Sequence, residues 1–165
     1  MKIGIISDTH DNLPQIRKAV KIFQREKVEL VLHAGDFVSP FTFSEFKNLS
    51  CPLKGVFGNN DGDKLYLQEK FKGIGEIYPA PYQTKINYKN LVMLHQEKLI
   101  EALAASQLYE LIIYGHTHRP DLRKVGKTLV VNPGECSGWL SGKSTIALLD
   151  LNNLKAEIID LAESL

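Results

Sequence analysis

"KIGIISDTHDNLPQIRKAVKIFQREK", residues 2–27, sets an apolar pentad, a polar loop and a run with helical spacing in immediate succession. KIGII (2–6) reads as a buried strand. Beyond the loop, Leu13, Ile16, Ala19, Val20 and Phe23 recur at the spacing of one helix face. Asn12 stands where an N-cap accepts a free N–H, and Pro14 falls in the first turn, where its missing donor costs little. ELVLHAGD (29–36) is the next strand and turn, SPFTFSEFKNL (39–49) a short helix, LKGVFG (53–58) a third strand and KLYLQEKF (64–71) a further helix. This βαβαβ alternation predicts parallel strands with helices over the faces of an α/β sheet.

The second half changes character. YQTKINYKNLVMLH (82–95) predicts a hairpin turning at Lys89–Asn90, KLIEALAAS (98–106) a helix, and YELIIYG (109–115) a buried strand. DLRKV and TLVVN, joined at Gly126–Lys127, form a second predicted hairpin, and STIALLDL and LKAEIIDL, joined at Asn152–Asn153, a third. The C-terminal part is therefore expected to be mostly antiparallel. With no repeat, low-complexity run or linker, residues 1–165 are expected to form a single domain.

Composition narrows the function. At 165 residues, 44% hydrophobic and 24% charged, the chain can bury an ordinary core. A net charge of +1 without a Lys/Arg run argues against binding a nucleic-acid duplex. No segment reaches the length of a membrane span, and the apolar N-terminal run meets Asp8 too soon to serve as a signal peptide, so a cytoplasmic protein is expected. Cys51 and Cys136 stand apart, which indicates neither a thiolate cluster nor a disulfide.

The strand ends carry the chemistry. The first strand runs into Asp8 and His10, the second into Asp36, the third into Asn59, Asn60 and Asp61, NLVML into His95, and LIIYG into His116 and His118. Open α/β sheets bind ligands at the carboxyl ends of their strands, so these groups are expected on one rim. Carboxylate, amide and imidazole donors without thiolate suit Mn²⁺, Fe²⁺, Co²⁺, Ni²⁺ or Zn²⁺. Seven candidate ligands (Asp8, His10, Asp36, Asn59, His95, His116 and His118) exceed one tetrahedral ion and match two ions sharing a carboxylate. Two such ions suit hydrolysis of a phosphate ester.

The ordered set DTH (8–10), GD (35–36), GNND (58–61), His95 and GHTH (115–118) resembles the motifs of the calcineurin-like metallophosphoesterases. The short length and NPG (132–134) resemble the small YfcE-like phosphodiesterases within them. The resemblance implies a four-layer α-β-β-α sandwich, two mixed sheets flanked by helices. It implies that Asp8, His10 and His118 hold one divalent ion, that Asn59, His95 and His116 hold a second, and that Asp36 bridges them. The expected ions are Mn or Ni, with Fe, Co, Zn and Mg as further candidates. The implied activity is a phosphodiesterase in which a bridging hydroxide attacks a small phosphodiester while Asn59, Asn60 and His95 lie near the phosphate. The alternative is a protein-binding scaffold, because the retromer subunit resembling this small fold uses its surface that way.

One departure bears on mechanism. Many members of the family carry histidine after the metal-binding asparagine, and Asn60 stands there in this chain. An amide cannot act as a general acid near neutral pH, so good leaving groups are expected to be favoured. Whether Asp61 orients Asn60 is open. His33 reads as a packed or supporting histidine, Asp11 as a solvated turn residue, and Arg119 either as a phosphate donor or as an exposed arginine. SGWLSGKST (137–145) resembles a phosphate loop, but its glycine spacing is one residue short and a strand follows, so it reads as a turn. No aromatic clamp or basic groove is evident. FTFSEF (41–46) is aromatic enough for a contact surface in a homo-oligomer.

Overall fold

The computed structural model describes residues 1–163. Its first half alternates β1 (Lys2–Ile6), α1 (Leu13–Arg25), β2 (Leu30–His33), α2 (Phe43–Phe46), β3 (Leu53–Val56), α3 (Lys64–Phe71) and β4 (Gly75–Tyr78). Helix α1 starts where its sequence requires: the Asn12 side chain accepts from Gln15 N at 3.4 Å, and Ile16, Ala19, Val20, Ile22 and Phe23 are buried. The predicted helix at 39–49 is a 3₁₀ turn over Pro40–Thr42 running into the single turn of α2.

The second half contains β5 (Tyr82–Ile86), β6 (Lys89–Met93), α4 (Ile100–Ser106), β7 (Leu111–Ile113), β8 (Pro120–Val125), β9 (Thr128–Pro133), β10 (Thr145–Asp150) and β11 (Lys155–Asp160). The β5–β6 hairpin turns at Asn87–Tyr88, two residues earlier than predicted, with both residues at positive φ (45° and 65°). A two-residue turn of that hand matches strand twist, and asparagine enters the left-handed region cheaply, so Lys89 and Asn90 open β6 instead.

The strands form a six-stranded sheet, β11-β10-β1-β2-β3-β4, and a five-stranded sheet, β5-β6-β7-β9-β8. From β1 to β4 the pairing is parallel, as the alternation predicts. The mostly antiparallel second half needs correction at its centre, because β6–β7 and β7–β9 are parallel. Antiparallel pairing there is confined to the edge hairpins. The third hairpin leaves that sheet altogether, and β10 pairs antiparallel with β1.

Three apolar layers hold the arrangement. Ile16, Val20 and Phe23 of α1, Phe46 of α2 and Phe71 of α3 cover one face of the six-stranded sheet with Ile6, Val31 and Leu53. Between the sheets, Ile3, Ile5, Leu32 and Val56 meet Leu91, Met93, Leu111, Ile113 and Val131. On the outer face of the second sheet, Ile100 and Ala104 of α4 pack on Val92, Ile112 and Val130. The result is the expected four-layer α-β-β-α sandwich, two mixed sheets flanked by helices. Each such aliphatic side chain contributes about 1.5–3 kcal/mol on burial. Among the described residues no helix is long and apolar enough to cross a membrane. FTFSEF divides between core and surface: Phe46 is fully buried and Phe43 packs on Phe71, while Phe41 is exposed.

Candidate metal centre

All seven predicted ligands lie at the carboxyl ends of β1, β2, β3, β6 and β7, where the two sheets meet. Five of them have left-handed backbone: Asp8 (φ 52°), His10 (39°), Asp36 (60°), His116 (67°) and His118 (59°). Such conformations in non-glycine residues cost of order 1–3 kcal/mol each and cluster at functional sites. Here they turn the chain sharply after each strand, so the backbone N–H groups of Asp8 and Thr9 bond to Gly35 O and Asp36 O, both at 3.0 Å. Gly115 and Gly58 supply close approach. A Cβ at Gly115 would collide with the Ser7 hydroxyl, and one at Gly58 with the Asp36 carboxylate.

One donor group comprises Asp8, His10 and His118. The two imidazole Nε2 atoms face each other at 3.3 Å, and the Asp8 carboxylate lies 3.4 Å from His118 Nε2 and 3.8 Å from His10 Nε2. A second group comprises Asp8, Asp36 and His95. Asp8 belongs to both groups, and Asp36 Oδ2, 3.3 Å from His95 Nε2 in its own group, also lies 3.6 Å from His10 Nε2 of the first. Asn59 Oδ1 is 3.0 Å from His95 Nε2. His116 stands at the edge: its ring meets that of His95 edge-on at 5.1 Å, its Nε2 faces Glu97 at 4.0 Å, and its backbone N–H donates to the Asp8 carboxylate at 3.0 Å.

The hydrogen bonds settle two tautomers. Ala34 O, which can only accept, lies 2.8 Å from His95 Nδ1, so that nitrogen carries the proton and Nε2 turns its lone pair toward the oxygens of Asn59 and Asp36. Glu135 Oε2 lies 3.0 Å from His118 Nδ1 and leaves His118 Nε2 in the same condition. Acceptors aimed at acceptors repel unless a proton or a metal cation lies among them, so the donor set fits a divalent ion. Charge follows the same logic. Burial opposes ionisation of Asp36, yet hydrogen bonding from His95 and Asn60 outweighs it and holds the carboxyl well below its usual range. Burial likewise opposes the His95 cation but is outweighed by Asp36, and Asp8 raises His10 against its own burial.

Three residues beyond the ligand set shape the site. Asn60 donates to Asp36 through both its backbone N (2.8 Å) and its Nδ2 (2.7 Å). Asp61 does not orient Asn60; it accepts the backbone N–H groups of Gly58 (2.7 Å), Val38 (2.7 Å) and Asp36 (3.2 Å). Burial pushes its carboxyl up despite those donors. Glu135, which sequence reasoning missed, is fully buried and also accepts from the Ser137 hydroxyl (2.7 Å), Leu140 N (3.0 Å) and Ser141 N. Burial opposes its charge, but these donors lower it to about 2. Its only signal was an acid directly after NPG.

The remaining candidates fall outside the donor groups. His33 is buried and stacked on Phe37 at 3.5 Å, with Nδ1 accepting from Gly35 N, which is the packed reading. Asp11 accepts from Ser39 N and its hydroxyl, tying two loops. Arg119 is exposed. Residues 137–144 contain no helix, as the turn reading requires. One exposed aromatic side chain, Trp139, stands on the rim, its Nε1–H donating to His10 O at 3.2 Å.

A two-sheet sandwich with histidine and carboxylate donors gathered at the strand ends defines a metallophosphoesterase-type hydrolase fold. Residues 1–154 match the calcineurin-like phosphoesterase superfamily domain, and the chain belongs to that family. It is similar to a phosphodiesterase of Methanocaldococcus jannaschii, with 46% identity over 154 residues covering 91% of this chain and 93% of that protein. The phosphodiesterase YfcE of Escherichia coli is 24% identical over 152 residues, covering 83% and 80%. Among solved structures, an archaeal phosphodiesterase superimposes with a TM-score of 0.92 at 43% identity, covering 97% of this chain and 99% of that one. A zinc complex of Vps29 from Entamoeba histolytica, at TM-score 0.69 and 21% identity over 98% and 99% of the two chains, shows likeness of fold alone.

Proposed function

We propose that this phosphoesterase is a cytoplasmic enzyme that hydrolyses small phosphate diesters with two divalent ions. The observation that carries the reading is Asp36, whose carboxylate stands between the His10–His118 pair and the His95–Asn59 pair. Asp8, His10 and His118 would hold one ion, Asn59, His95 and His116 the other, and Asp36 would serve both. When bound, divalent ions supply neutralisation of phosphate charge and lower the pKa of water, so that hydroxide is the nucleophile near neutral pH. Carboxylate oxygen, amide oxygen and imidazole nitrogen suit Mn or Ni, and also Fe, Co, Zn or Mg.

The protein's own groups do the rest. Glu135 and Ala34 fix the His118 and His95 rings through Nδ1–H. Asn60 holds Asp36 in place and carries no proton that it could give to a leaving oxygen. The scaffold reading has less support, because it gives no use to acceptor groups aimed at one another in a partly buried rim.

The test is hydrolysis of an aryl phosphodiester by chelator-stripped protein with single metals restored. Metal-dependent cleavage that Asp36→Ala abolishes is expected. With alkyl diesters of graded leaving-group pKa, the rate should fall steeply as the leaving group worsens. Metal binding without any cleavage would overturn the enzyme reading in favour of the scaffold.

A further inference from the structure

The loop 137–142 places two large apolar side chains in solvent beside the metal centre. Trp139 is 65% exposed and Leu140 78%, and Trp139 is the chain's one tryptophan. Neither is loosely placed. The Trp139 indole donates to the carbonyl of His10. Leu140 N donates to Glu135, the carboxylate that orients His118. Together with Val38, Asn60, His10 and His118 these two residues line an open groove of about 460 Å³. A ring seated in it would lie against Trp139 with its substituent directed at the donor groups of His10 and His118.

We propose that this groove is a specificity subsite in which Trp139, flanked by Leu140 and Val38, stacks on a planar ring carried by one ester arm of the substrate. The inference rests on the diesterase reading and narrows it to diesters with an aryl or nucleobase arm. Aromatic stacking needs only a π-face on the ligand, which fits a groove whose walls carry one amide and two imidazoles but no carboxylate. Leu140 and Val38 add apolar area beside the ring. Placed on a loop held by Glu135, the platform stays in register with the metal ligands.

Two experiments test it. In the first, wild type, Trp139→Ala and Trp139→Phe hydrolyse three diesters that release the same non-aromatic alcohol, followed by fluorine NMR: methyl, benzyl and thymidine 5′ 2,2,2-trifluoroethyl phosphate. Stacking of this kind predicts that Trp139→Ala loses roughly ten-fold in kcat/KM on the ring-bearing arms and little on the methyl arm, while Trp139→Phe keeps most of the wild-type value. A loss on thymidine alone assigns a nucleobase subsite, and a loss on both rings a general aryl one. Equal losses on all three would overturn the platform, since a merely structural role through His10 acts on every substrate.

The second experiment needs no turnover. Emission of the single tryptophan is followed in zinc-loaded protein during titration with adenosine 5′-monophosphate, phenyl phosphate or ribose 5-phosphate. Saturable quenching by a ring-bearing phosphate, absent with ribose 5-phosphate, is the expected result; an identical response to all three would overturn the proposal. If no diester is cleaved yet ring-dependent quenching persists, the subsite stands and the diesterase reading fails.

Discussion

At the residue scale, the site is an arrangement of constrained side chains rather than of ligands alone. Asp8, His10, Asp36, His116 and His118 are the residue types that sequence reading selects, yet their left-handed backbone is what aims them. Aspartate, asparagine and histidine are enriched in that region because their short polar side chains compensate locally, so the ligand types and the conformation agree. Glu135 is the supporting member that chemistry predicts to matter most. Removing its charge in Glu135→Gln should weaken metal affinity by roughly 10–100-fold, as for other carboxylates behind a ligating histidine. Isothermal titration with Zn²⁺ would measure this, and unchanged affinity would show that the bond to His118 is dispensable. The ligand types were legible because each follows an apolar run. Glu135 was missed because nothing in its own neighbourhood marks it as buried; it faces His118 because the β8–β9 hairpin, which pairs Pro120 with Pro133, sets the residues beyond its open end side by side.

At the scale of elements, the helices are secured to each other as well as to the sheet. Arg17 of α1 grips Glu45 of α2 through two bonds, at 3.0 and 2.7 Å. The Arg17 guanidinium holds the Glu45 carboxyl below its usual range. A carboxyl depressed by folding stabilises the native state above its unfolded pKa, and that contribution vanishes as pH falls through the folded value. Arg17→Ala should therefore lower Tm near pH 7, with the deficit shrinking toward zero by about pH 3. Calorimetry across that range checks it, and a deficit constant with pH would assign the effect to lost packing of the arginine stem. The α1 start and face were readable because capping and 3.6-residue spacing are local. Strand β4 was not anticipated: only Ile77 of its four residues is buried, and its pairing with β3 gives it its form.

For the whole molecule, the candidate metal centre lies where the two sheets meet. Asp8, His10, Asp36 and Asn59 follow strands of the six-stranded sheet, and His95, His116 and His118 follow strands of the five-stranded one. Ions held by both sets would clamp one sheet to the other. Free metal at a hundred times its Kd stabilises the native state by about 2.7 kcal/mol. At this size that is worth roughly 5–10 °C in Tm. Chelator-stripped and Zn²⁺-loaded protein should differ by that amount in a thermal scan, and Asp36→Asn should lose most of the difference. Equal melting of loaded and stripped protein would show that the sheets do not need the ions.

What the sequence determined by itself was whatever local spacing controls: the αβ alternation of the first half, the faces of α1, two of the three hairpin turns, and the chemical identity of the donors. The tertiary structure alone decided which strands became neighbours. The β10–β11 hairpin could pair with either sheet, and burial of Ala147 and Leu149 between them against β1 places it in the first. It alone decided, too, that Trp139 would sit beside His10. That contact joins residues 129 positions apart, and a contact of that span follows from bringing distant segments together, which no local pattern encodes.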